Sequence, residues 1–197
     1  MGARDFDPIA LGNAETDGWA AYYRREWRPF LKAAVGMVRI GFGMSWPRTM
    51  LGAWWVLRAN QVWAPYPDND PDRARDFMRR FYALVKKDGG LSLDPVTAAE
   101  LEVEWWRLHR LHQRENELTE DDLTEDDLTQ ALVDLYSYVY KVEPDTVRAA
   151  GQHRVVAMRH SDAWVANGCD LDDPLLDAER AELIASYTAL LNAVRTS

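Results

Sequence analysis

At 197 residues, with 47% hydrophobic and 28% charged side chains, the chain can bury one core and is not disordered as a whole. Acidic residues exceed basic ones by 32 to 23, and a net charge of -9 argues against a binder of duplex nucleic acid, which would carry a basic excess. Cys169 is the single cysteine, so an internal disulfide and a Cys-rich zinc motif are excluded and a reducing cytoplasm is expected; no secretory leader and no run of roughly 20 apolar residues is seen.

Residues 1–14 read as a flexible tail, followed by a helical stretch over about 15–27. Pro29 opens a segment to Met44 that is apolar nearly all round, the mark of a buried helix, and Ser45-Trp46-Pro47 restarts a further one to about Trp63. Together they predict an apolar hairpin over 29–63 near the centre of the fold. On the first of these helices Lys32, Gly36, Arg39 and Gly43 share one stripe. An anionic head group could meet the two cations there, or both could pair with acids elsewhere while the glycines admit a neighbouring helix.

Charge is uneven along the chain. Residues 1–60 hold eight basic and five acidic side chains, +3, which leaves -12 for the rest. Beside Tyr22, Tyr23, Trp27 and Phe30 this could suit contact with an anionic lipid surface, although a basic half meeting an acidic half within the molecule is the simpler account.

Further on, the punctuation is regular. Asp70-Pro71 and Asp94-Pro95 have the chemistry of helix starts, a carboxylate for the orphan N–H groups followed by a proline that fits the first turn. The first of these helices ends at Lys86-Lys87-Asp88-Gly89-Gly90 and the second near Arg114. Asp68-x-Asp70-x-Asp72 begins like a calcium loop, but Arg73 and Arg79 stand where an EF-hand needs Gly and Glu.

In the helix from Asp94, the stripe Ala98, Leu101, Trp105, Leu108, His112 predicts that His112 is largely buried, with Glu102 and His109 on its flank. Glu102, His109 and His112 are the best metal candidates in the chain, at a spacing that lets two imidazoles face one ion. Neither Glu-x-x-His nor His-Glu-x-x-His occurs, which excludes the ferritin-like and zincin motifs.

Leu118-Thr-Glu-Asp-Asp is repeated at once as Leu123-Thr-Glu-Asp-Asp, and Thr119 or Thr124 can start a helix ending near Lys141. Asp145 can cap a segment through Val165, closed by Asn167-Gly168, in which Arg154 sits mid-arc among Val147, Ala150, Ala157, Met158, Ser161 and Trp164. A buried arginine cannot shed its charge, so Arg154 requires a carboxylate or a ligand anion. Asp173-Pro174 opens the last helix, to about Arg195.

These elements predict an all-α single domain of about eight helices spanning 1–197. Three functional readings follow. The first is a non-catalytic helical protein that acts through a protein partner, self-association or scaffolding, with an exposed apolar patch and no deep pocket. The second is a binder of an amphipathic anionic small molecule, with Lys32, Arg39 or Arg154 at the head, Trp54 and Trp105 along the apolar part, and Ser161 beside Arg154. The third is a metal- or haem-dependent enzyme using His109, His112, His153 or His160 with Glu102. Peripheral membrane contact ranks below all of these.

Overall fold

A computed structural model describes residues 2–113 and 124–196, and these are all-α. The helices are α1 (Pro8–Tyr23), α2 (Trp27–Phe42), α3 (Trp46–Trp63), α4 (Pro71–Asp88), α5 (Pro95–His112), α6 (Glu125–Tyr140), α7 (Pro144–Ala166) and α8 (Leu175–Arg195). Local chemistry sets their starts. Asp70 and Asp94 accept from the backbone N–H groups of Arg73 and Thr97, and Thr124 forms a reciprocal capping box with Asp127. Thr119, the alternative start, lies outside the described residues.

Three expectations differ from the structure. Residues 8–14 are the first turns of α1 instead of part of a loose tail. Asp7-Pro8 repeats the Asp-Pro start, with the Asp7 carboxylate accepting from Ile9 and Ala10, and Ala3 and Phe6 are buried ahead of it. Segment 29–44, expected to be buried all round, belongs to a helix that buries only the face of Phe30, Ala33, Ala34, Val38 and Gly41. At α7 the cap position falls to Glu143, without a side-chain bond, and Asp145 sits in the first turn.

Each helix packs on its neighbours in sequence, and α8 packs on α1, so the eight helices close into a ring. Short connections make neighbours antiparallel. Arg48 at the start of α3 pairs with Asp88 at the end of α4, and the backbone N–H of Asp94, just before α5, donates to Tyr138 near the end of α6. Asp5, just before α1, pairs with Arg195 at the end of α8.

The closing seam is tight, because a Cβ on Gly12 of α1 would lie 2.5 Å from Ile184 Cγ1 and 2.9 Å from its backbone nitrogen on α8. The hairpin of α2 and α3 forms one arc of this ring. No described helix is long and apolar enough to cross a membrane.

Candidate ligand cavity

The ring encloses a cavity of about 810 Å³ to which all eight helices contribute. Packed interiors hold few voids larger than a water molecule, whereas ligand sites span roughly 300–1,000 Å³. Its walls are rich in aromatic rings, among them Trp19, Tyr22, Phe30, Phe42, Trp63, Phe81, Trp105, Trp106 and Tyr140. The exposed lining residues Arg25, Tyr66, Gln113 and Ala166 all lie at the end of the ring where α1, α3, α5 and α7 finish, which places the opening there.

Three polar groupings interrupt the apolar wall. The deepest joins four helices at Glu15, which is 3% exposed. Its carboxylate accepts from Arg154 of α7, from Tyr187 of α8 at 2.5 Å and from Trp19 of α1 at 3.1 Å. Arg154 also donates to the Tyr136 hydroxyl on α6 at 3.1 Å. Burial works against the charge of Arg154, but Glu15 and the two tyrosines more than offset it and hold the guanidinium as a cation. Burial likewise raises the phenols of Tyr136 and Tyr187, keeping both neutral, the first accepting from Arg154 and the second donating to Glu15. The anion that Arg154 requires is therefore supplied within the protein.

Across the cavity, Tyr82 donates to Glu102 at 2.7 Å and Trp106 Nε1 donates to its other oxygen at 3.2 Å. Burial pushes the Glu102 carboxyl upward, against the pull of Tyr82. Toward the opening, His109 Nε2 lies 3.2 Å from Asp162, and Gln113 donates to Asp162 at 2.5 Å and to the Tyr23 hydroxyl at 2.7 Å. Arg110 donates to the Trp63 carbonyl at 2.7 Å and to the Tyr22 hydroxyl at 2.9 Å.

Of the residues singled out for a ligand, Trp105 and Arg154 line the cavity. Ser161 is buried behind Arg154, beside a separate void of about 10 Å³. The other three lie elsewhere. Lys32 is exposed; Arg39 donates to the Met44 carbonyl and stacks on Trp46; Trp54 is 45% exposed on the outer face of α3. An apolar stretch tells that a helix buries something but not which side of a closed ring its cations face.

Among the metal candidates, Glu102 and His109 line the cavity, while His112 is half-buried away from it and His109 is the buried imidazole, at 5%. The expected stripe was rotated: α5 buries Ala98, Ala99, Val103, Trp105, Trp106 and His109, because it faces α4 and α6 together. Among the described residues no group of three or more His, Cys, Asp or Glu side chains is placed to hold a metal ion.

The functional residues that sequence reasoning missed are Glu15, Tyr82, Tyr136, Asp162 and Tyr187. Glu15 carried a signal, since Leu11, Glu15, Trp19 and Tyr22 follow helical spacing and put an acid inside an apolar stripe. The tyrosines carried none beyond their number. The described lining contains no Ser, Thr, Cys or Lys, and its polar groups are carboxylates, phenols, guanidinium groups, carboxamides and the His109 imidazole, set among aromatic rings. No protein-family model matches the chain, and no characterised protein or solved structure is detectably similar to it.

Proposed function

We propose that the protein binds a neutral, largely apolar small organic molecule inside the helix ring, with aromatic side chains stacking on its body and the polar groupings meeting one hydrogen-bonding end. The observation that carries this reading is the cavity of about 810 Å³, lined by aromatic rings from seven of the eight helices. It differs from the expected amphipathic anion for a specific reason. Arg154 is matched by Glu15, Lys32 and Arg39 lie off the cavity, and the other lining cations, Arg25 and Arg110, are offset in number by Glu102 and Asp162. A carboxylate or phosphate inside would therefore meet a wall with no net excess of base, and its buried charge would go uncompensated.

The test compares a neutral aromatic fluorophore, N-phenyl-1-naphthylamine, with its anionic counterpart, 1-anilinonaphthalene-8-sulfonate. Ala34 is buried on the cavity wall, so Ala34→Phe fills open space without overpacking the core. The expected result is saturable uptake of the neutral probe, weaker uptake of the anion and at least about a tenfold loss of affinity in Ala34→Phe, equal to roughly 1.4 kcal/mol, with thermal stability unchanged or raised. Equal binding by wild type and Ala34→Phe, or preference for the anion, overturns the proposal. Mass spectrometry of a solvent extract of the purified protein then identifies any native occupant.

A further inference from the structure

The outer face of α3 is the main apolar surface of the molecule. Of the large hydrophobic side chains found exposed among the described residues, Trp46 (60%), Met50 (49%), Leu51 (42%) and Trp54 (45%) all belong to this one helix. Trp46, Met50 and Trp54 follow at intervals of four and form a single stripe along it. Elsewhere such residues are dispersed, as at Val96 on α5 and Leu171 before α8.

The same arc is basic in an acidic protein. Residues 27–63 contain Arg28, Lys32, Arg39, Arg48 and Arg58 and no Asp or Glu. With α4 added, residues 27–88 hold eleven basic and five acidic side chains, +6, which leaves -15 for the remainder of a chain whose total is -9. The arginines are associated with the stripe itself: the Arg39 guanidinium lies 5.1 Å from the Trp46 ring and that of Arg58 lies 5.9 Å from the Trp54 ring.

We infer that the outer face of α3 docks on an anionic lipid surface. The bilayer interface is where the rings of Trp46 and Trp54 gain most, with Met50 and Leu51 entering the acyl boundary and the flanking cations meeting lipid head groups. Charge complementarity chooses this occupant. A second copy placed α3 against α3 would bring two basic arcs together. A copy placed head to tail would offer its acidic arc, where only isolated apolar residues such as Val96 and Leu171 could cover the tryptophans. Of the aromatic residues expected near the chain start, Tyr22 and Phe30 are buried on the cavity wall and so lie away from this surface. This inference stands independently of what the cavity holds.

Flotation of the full chain with vesicles of phosphatidylcholine, with and without phosphatidylserine, tests it. Binding is expected only where phosphatidylserine is present, and it should fall as salt rises, because exposed charges are screened over about 10 Å at 0.1 M. The exposed double substitution Trp46→Ser with Trp54→Ser should lower partitioning at least about tenfold. Lys32→Glu with Arg28→Glu should abolish the lipid selectivity, and Leu171→Ser on the acidic side should change nothing, all three keeping wild-type circular dichroism. No vesicle binding, equal binding to phosphatidylcholine alone, or a dimer by light scattering that the tryptophan substitutions dissolve would each overturn the inference.

Discussion

Arg154 and Glu15 face one another at the innermost point of the polar wall, and the pair shows why a buried ion pair is better judged by removing one half than by counting it. Arg154→Met leaves the Glu15 carboxylate with Tyr187 and Trp19 as donors but no cation. That should cost about 3–5 kcal/mol in urea unfolding. Adding Glu15→Gln, whose carboxamide oxygen can accept from Trp19 while its NH2 donates to a reoriented Tyr187 hydroxyl, should recover most of the loss; a double variant as unstable as the single would show that packing of the guanidinium, and not charge matching, is what Arg154 supplies.

Glu179 on α8 gives a complementary case. Burial, reinforced by Glu15, pushes its carboxyl up to about 9 from an ordinary 4.5. Between those values the folded state holds a proton that the unfolded chain releases, so stability from this group is complete at low pH and is lost as pH rises toward 9. The slope should approach 1.4 kcal/mol per pH unit, about one proton's worth. Glu179→Gln should flatten that slope across roughly pH 5 to 9, as read from unfolding midpoints, and an unchanged slope would assign the proton elsewhere.

At the scale of elements, the seam between α1 and α8 depends on Gly12. Alanine ordinarily favours a helix over glycine by about 1 kcal/mol, but here its Cβ would meet both side chain and backbone of Ile184. The steric term wins, and Gly12→Ala should destabilise the protein by about 1–3 kcal/mol in thermal or urea unfolding, whereas Gly36→Ala, with only Ala14 Cβ at 3.6 Å, should be neutral or stabilising. Element positions were readable because they rest on local chemistry. The Asp-Pro starts at 70–71 and 94–95 and the Thr124 box act within a few residues of themselves, and the missed start at Asp7-Pro8 used the same device. Which face of a helix is buried depends on partners far away in sequence. That is why helical spacing alone points to His112 as the core histidine of α5, whereas contact with both α4 and α6 turns His109 inward.

For the molecule as a whole, the sequence spoke to class but not to enclosure. Apolar stripes imply that helices pack, yet the same stripes serve a solid bundle or a ring around a space, and only the inter-helix distances separate the two. The site was legible where burial conflicts with charge: Arg154 demanded an anion and the structure supplies Glu15. Where charge sits on a surface, as at Lys32 and Arg39, no such conflict exists to point inward. The uneven charge was visible in composition, and the fold gathers it onto one arc beside the exposed tryptophans.

Ring closure has a topological consequence. Because α8 returns to α1, with Arg195 paired to Asp5 and Arg4 donating to the Val194 carbonyl, the start of α1 and the end of α8 lie side by side. A circular permutant that joins them through a brief glycine-serine tether and begins instead at Gly90, whose surroundings are open, should assemble the same eight-membered cycle and take up the same neutral fluorophore. In such a wheel no spoke is first or last, and where synthesis starts becomes a matter of chain order and not of architecture.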